Sequence, residues 1–345
     1  MESDMQKLMK TLLAGACATG LLLGSMASHA AEIRERTLRF AFQNVQEHPQ
    51  GQGAQKFAEL LAKSSGGKIK VKLFPGGTLG GDVVTVSALQ GGTLDLTVLN
   101  SGILAAQAAD FAMLDFPFLF NNVEEAHAVI DGPVGQKLAA QLDSKGLVSL
   151  GYWDLGFRNV TNSKHPINKL EDMQGLKIRV IQSPIYLDTF NALGANPVAM
   201  AFPEVYTGLE QGVIDGQENP LTVIQGSKFY EVQKYISTTG HIFNPQSFII
   251  GQKTWNKLND DEKKLVKEAA VEAQKYQREV TASSMASARG YLEQQKNVAV
   301  NDISAEEKDR FRERVQPVIK KYSEKLDGSL VKLMYDEIAK VRAGQ

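Results

Sequence analysis

Beyond residue 31 the apolar positions switch between two spacings. Leu38-Arg39-Phe40-Ala41-Phe42 alternates with the two-residue period of a strand. Residues 43–52 are polar and contain Pro49 and Gly51, which predicts a loop. Residues 53–63 place Phe57, Leu60 and Leu61 at helical spacing, and a Ser-Ser-Gly-Gly turn follows. Residues 68–74 alternate again until Pro75-Gly76-Gly77 breaks the run. Strand, helix, strand with short connections predicts parallel pairing, with helices packed on a sheet.

Farther along, 156–162 reads as a strand carrying Arg158 among apolar neighbours, and 175–180 as a second strand carrying Arg179. A weak repeat links the two halves. Leu89-Gln90-Gly91-Gly92-Thr93-Leu94-Asp95 matches Leu209-Glu210-Gln211-Gly212-Val213-Ile214-Asp215 as Leu-x-x-Gly-x-aliphatic-Asp. Each copy predicts a helix ending near the Gly and a strand starting at the aliphatic residue. Two similar lobes facing each other would explain it; a chance match of seven residues is the alternative. Asn100 and Asn219 follow the two copies, where open α/β sheets bind ligands. The tail is helical. Asn259 with Glu262 predicts a capped start, and a proline-free stretch runs to about Asn297, either as one long helix or as two broken near Gly290. Ser304 with Glu307 opens another helix, which Pro317 should kink or end.

The first thirty residues differ from the rest. Lys7 and Lys10 precede an apolar run from Thr11 to Met26, and Ser28-His29-Ala30 resembles a signal-peptidase site. The run is too short and too rich in Ala and Gly for a convincing membrane span, so cleavage after Ala30 is expected; a retained anchor is the alternative. Cys17 follows Ala14-Gly15-Ala16, but a lipoprotein site would carry Leu at position 14. Cleavage removes Cys17, the single cysteine, which excludes disulfides, thiolate metal sites and a cysteine nucleophile from the mature chain. The 43% hydrophobic and 22% charged content suits a folded soluble protein, and 345 residues suggest two domains. A net charge of −1 offers nothing to nucleic acid or to an anionic membrane.

Catalytic signals are scarce. There is no G-x-S-x-G elbow, phosphate-cradling loop or H-E-x-x-H, and the glycines at 76–77 and 80–81 do not form a dinucleotide fingerprint. His48, His127, His165 and His241 lack metal-ligand spacing. The two strand arginines carry the chemistry. A buried guanidinium needs a partner, and its fork matches a carboxylate. That partner is either a ligand or a protein Asp or Glu in a structural ion pair, unless the side chain simply points outward to solvent.

At these residues the chain resembles the solute-binding subunits of tripartite ATP-independent periplasmic (TRAP) transporters, of the DctP type. The runs that carry the resemblance are Gly175-Leu176-Lys177-Ile178-Arg179-Val180, the stretch 194–206 around Pro203-Glu204-Val205-Tyr206, the stretch 211–220 ending Gln217-Glu218-Asn219-Pro220, and Lys228-Phe229-Tyr230-Glu231-Val232-Gln233-Lys234-Tyr235. The resemblance implies an α/β, two-lobed, type II-like periplasmic binding protein with crossing strands and a long helix spanning both lobes. Lobe I would comprise 31–156 and 244–286, and lobe II 157–243 and 287–345, after a signal peptide at 1–30. It implies that Arg179 holds the ligand carboxylate, Arg158 assists, Asn219 hydrogen-bonds it and Phe202 packs against it. Asn44, His48 and Asn100 are the expected contacts to the distal end. Asn100 stands where some sialic-acid binders of this family carry an acidic residue, which argues against sialic acid. The implied protein is a periplasmic monomer, not an enzyme, without cofactor or metal. It would pass its ligand to a small and a large membrane subunit, driven by an ion gradient. Neutral, basic and amide-rich distal contacts favour a sugar acid such as a uronate or aldonate. A C4-dicarboxylate or another small carboxylate comes second, and an enzyme on the same fold is the competing class.

Overall fold

A computed structural model describes residues 32–344. The expected signal peptide, with Ala30 and Cys17, lies outside the described residues. Eleven strands fall into two sheets among the described residues. The early strands are β1 (Arg36–Phe42), β2 (Ile69–Phe74), β3 (Leu96–Asn100) and β4 (Leu147–Phe157). They are followed by β5 (Asn159–Asn162), β6 (Lys177–Val180), β7 (Asn196–Ala199), β8 (Gly216–Asn219), β9 (Tyr235–Thr238), β10 (Phe243–Gly251) and β11 (Ala299–Asp302). The first sheet has the order β2-β1-β3-β10-β4, and the second β11-β9-β5-β8-β6-β7. β1 pairs in parallel with β2 and β3, as strand–helix–strand units require.

The stretch 156–162 is two strands rather than one. β4 ends at Phe157 in the first sheet and β5 begins at Asn159 in the second, so Arg158 is the single residue between sheets. β9 and β10 cross back through 239–242. The crossings bond to each other: Arg158 N–H donates to the Ile242 carbonyl (2.8 Å), and His241 N–H to the Arg158 carbonyl (3.2 Å).

The repeat is structurally real. Gly92 and Gly212 both adopt the left-handed conformation (φ 80° and 68°), which a side chain would strain. Leu94 N–H returns to the Ala88 carbonyl and Ile214 N–H to the Gly208 carbonyl. Each aspartate then clasps the neighbouring strand. Asp95 Oδ2 accepts from Arg39 N–H (2.8 Å) and Asp215 Oδ2 from Lys177 N–H (2.9 Å). The strands start slightly later than expected, at Leu96 and Gly216, because these clasps occupy the intervening residues.

Two helices depart from what the sequence predicts, and the long helix takes the first of its two predicted forms. The first helix begins at Pro49, not Gly53, because His48 Nδ1 caps it through Gln50 N–H (3.0 Å) and Pro suits the first helical position. Its Gly53 allows close approach to the long helix, since a Cβ there would lie 2.7 Å from Gln277 Cγ. The long helix runs unbroken from Asp260 to Glu293, through Gly290, and its Asn259/Glu262 capping box is formed. At 1.5 Å per residue it is about 51 Å long. It packs on β4 and the helix Pro49–Ser64 at one end and on the helix Leu221–Gly226 and β11 at the other, so it serves both sheets. Pro317 neither ends nor interrupts the helix Ala305–Ser323 in which it lies.

The first sheet is held by an aromatic cluster in which Phe248 lies 5.1 Å from Phe40, 5.0 Å from Phe57 and 5.0 Å from Trp153. Asn259→Ala should cost about 1 kcal/mol, the usual loss of a helix cap, read as a lower urea midpoint at unchanged slope.

Candidate functional site

A cavity lies between the sheets. Its walls gather at the carboxyl ends of parallel strands: Gln43 and Asn44 follow β1, Asn100 ends β3, Arg179 lies near the end of β6 and Asn219 ends β8. Six of the seven residues singled out from the sequence line it, namely Arg158, Arg179, Asn219, Phe202, Asn100 and Asn44. His48 does not. It caps the helix Pro49–Ser64 with Nδ1, and Nε2 faces Thr222 Oγ1 across the lobes at 3.3 Å in a separate crevice.

The two arginines differ sharply. Arg158 is already neutralised by the protein. Its Nε and Nη2 fork onto the Glu218 carboxylate, and Nη1 donates to Asn244 Oδ1 at 3.0 Å. His241 Nε2 backs Glu218 at 3.0 Å. Burial alone would lower Arg158, but the Glu218 carboxylate outweighs it and raises the guanidinium. This is the structural ion pair that spacing left open. Arg179 has no such partner. Nε and Nη2 both donate to the Met200 carbonyl (2.9 and 2.7 Å), and among the described residues it forms no ion pair. Burial pushes it down to about 10, still protonated at neutral pH. The Nη1/Nη2 edge stays available for a carboxylate fork. Phe202 stacks beside it, its ring centroid 5.9 Å from the guanidinium carbon.

The amides around the cavity are oriented by the protein. Gln43 Nε2 donates to the Gly80 carbonyl, and Asn44 Nδ2 to Gln50 Oε1, so each points its oxygen the other way. Asn100 Oδ1 accepts from Gly102 N–H and Asn244 Oδ1 from Arg158, so each leaves an NH2 free. Asn219 Nδ2 donates one hydrogen to Gln217 Oε1 (2.7 Å) and keeps the second. Four buried oxygens here have no partner: Gln43 Oε1, Asn44 Oδ1, Asp82 Oδ1 and Gln246 Oε1. So do two nitrogens, Asn100 Nδ2 and Asn244 Nδ2. Unpartnered oxygens outnumber unpartnered nitrogens here, so the cavity suits a ligand rich in donors.

Asp82, Gln43 and Gln246 escaped the sequence reading. Asp82 opens the helix after the Gly80-Gly81 break, a position that also reads as ordinary helix-start chemistry. Burial pushes its carboxyl up to about 6 against the pull of Arg179. Around the mouth the walls touch at backbone level. A Cβ on Gly81 would lie 3.1 Å from Ala201 Cβ, and one on Gly77 only 2.6 Å from Pro203 Cγ. Among the described residues there is no cluster of three or more His, Cys, Asp or Glu fit for a metal, and no helix long and apolar enough to cross a membrane.

Comparison with known proteins gives a consistent picture. The model of the family described as bacterial extracellular solute-binding protein, family 7 (DctP), matches residues 40–325. The 2,3-diketo-L-gulonate-binding periplasmic protein YiaO of Escherichia coli K12 is 40% identical over 261 residues, 76% of this chain and 80% of its own. The sugar acid binding protein DctPAm of Advenella mimigardefordensis, solved with galactonate, superposes with a TM-score of 0.87 at 40% identity, covering 89% of this chain and 99% of that one. A TRAP solute-binding protein of Sulfurospirillum deleyianum, solved with succinate, gives 0.83 at 30% identity, covering 88% and 99%.

His48 supplies a pH test. Burial pushes it from 6.5 down to about 3, so the folded protein rejects a proton that the unfolded chain accepts. Its stability is complete above pH 6.5 and falls as pH drops below that, by up to about 1.4 kcal/mol per pH unit. Asp115, pushed up to about 7, titrates in the opposite sense nearby. The comparison that isolates His48 is therefore wild type against His48→Asn, which keeps a capping acceptor. Urea midpoints from pH 7 to pH 4 should fall more steeply in the wild type.

Proposed function

Because this chain belongs to family 7 of the bacterial extracellular solute-binding proteins, we propose that it captures a hydroxylated monocarboxylate, a sugar acid such as an aldonate or uronate, for a TRAP transporter. The observation that carries this reading is the contrast across the cavity. One wall holds Arg179, a buried cation without a protein carboxylate, and the other holds oriented amide oxygens and Asp82 Oδ1 without donors.

In this reading the ligand carboxylate forks onto the free edge of Arg179. The second hydrogen of Asn219 Nδ2 and the free NH2 of Asn244 add donors, and Phe202 covers the ion pair. Arg158 contributes its field and its rigid position rather than a free fork. Ligand hydroxyls donate to Gln43, Asn44, Asp82 and Gln246, and one accepts from Asn100. His48 acts outside the pocket, as a contact between lobe I (31–156 and 244–286) and lobe II (157–243 and 287–345). Closure removes water from the ion pair, which strengthens it, and the ligand favours the closed state because each lobe supplies part of its partners. The galactonate-bound DctPAm and the diketogulonate-binding YiaO are the relatives that support this ligand class. A dicarboxylate such as succinate, bound by the Sulfurospirillum relative, is disfavoured because its second carboxylate would meet Asp82 and amide oxygens. Delivery is to a small and a large membrane subunit in an ion-driven system. The site of action is the periplasm, reached through a signal peptide cleaved after Ala30.

Calorimetric titration with D-galactonate, D-galacturonate and succinate tests the ligand class. A sugar acid should bind at least about tenfold more tightly than succinate; tighter succinate binding would overturn the reading. Asp82→Asn should narrow that gap from both sides, weakening the sugar acid and tightening succinate. Arg179→Ala should remove about 3–5 kcal/mol, a loss of affinity on the order of a hundredfold or more, and near-unchanged affinity would reject Arg179 as the anchor.

A further inference from the structure

A second cavity adjoins the first, with Ile103 and Gln182 lining both. Its chemistry is different. Ala105, Ala106, Ala109 and Ala112 leave room by being small, and Ile185 and Leu326 make the rest largely apolar. Polar groups are few and lie where an anion would want them. Ser183 lines the cavity immediately before the helix Pro184–Ala192 and makes no capping bond, though serine at that position usually does. Its hydroxyl is buried and without a hydrogen-bond partner, and the residue is only 3% exposed. The same helix start carries the positive end of a peptide dipole. Lys325, also lining the cavity, forms no ion pair among the described residues, although Asp188 feels its charge.

From this arrangement we infer a second ligand site, for a small amphipathic monocarboxylate with a short aliphatic or aryl body. The head would meet the Ser183 hydroxyl, the first turn of the helix and Lys325, and the body would lie on the alanines. The acceptor-rich amides that suit a sugar acid line the first cavity and not this one, so the two sites select different molecules.

Phenylacetate is a suitable probe, followed by ligand-detected NMR titration of the whole folded protein. Its Kd should be on the order of 1 mM, as a ligand of about ten heavy atoms allows. Arg179→Ala, which disables the first cavity, should leave that affinity unchanged. Ala109→Leu should weaken it about tenfold by filling the space, and Lys325→Gln about threefold, since Lys325 is exposed. Uncharged phenylacetamide should bind more weakly than the acid. Ala109 is also exposed, so the leucine should fold, and Ala106→Leu is the replacement if melting shows otherwise. Loss of phenylacetate binding in Arg179→Ala would place the probe in the first cavity and overturn the inference. Indifference to both Ala109→Leu and Lys325→Gln would overturn it too, as would no saturation by about 10 mM.

Discussion

The Arg158–Glu218 ion pair is the constraint around which the rest is arranged. Arg158 is the one residue between β4 and β5, so it sits where the chain passes from one sheet to the other. Glu218 comes from β8, Asn244 from β10, and His241 from the return crossing. One guanidinium thus ties both crossings to the second sheet. Neither side chain reaches water, and losing one partner would strand a charge at the junction of the lobes. The pairing also settles what is left over. With Glu218 committed to Arg158, Arg179 keeps an unmatched charge in the same cavity. Two arginines that look alike on their strands therefore do different work, one structural and one available to a visitor.

Much of this was legible in the sequence, and the failures share a cause. The lobes could be anticipated because parallel strand–helix units have a strong period and because the repeated Leu-x-x-Gly-x-aliphatic-Asp segment encodes a real hydrogen-bonding unit, closed by Asp95 and Asp215. The arginines stood out because charge on an apolar strand is costly. What stayed hidden depended on partners distant in sequence. Nothing local separates Arg158 from Arg179, since Glu218 lies sixty residues away from the first and its geometry is tertiary. His48 follows a strand as a binding residue would, yet it serves as a helix cap and lobe contact, a role written in the Pro49 beside it, which suits a loop and a helix start equally. Asp82 at a helix start resembles routine dipole chemistry. Only the fold brings it opposite Arg179.

The cavity is also where local rules are broken. Elsewhere most buried polar groups have partners, while here amide oxygens, amide nitrogens and one oxygen of Asp82 have none within the protein. Because each amide is fixed by its other end, the ligand need not reorganise them on arrival.

The bare glycines at the mouth carry a consequence for how such a protein can change. Gly77 and Gly81 let Pro203 and Ala201 come up against the opposite backbone. A side chain at Gly81 would meet Ala201 and Pro203 and wedge the jaws without touching a group that reads the ligand, whereas one at Gly77 would also press on Gln43 Oε1, 2.9 Å away. Selectivity and residence time are therefore adjustable independently: evolution can retune how long a cargo is held, and hence how readily it is surrendered at the membrane, while leaving the identity of the cargo alone.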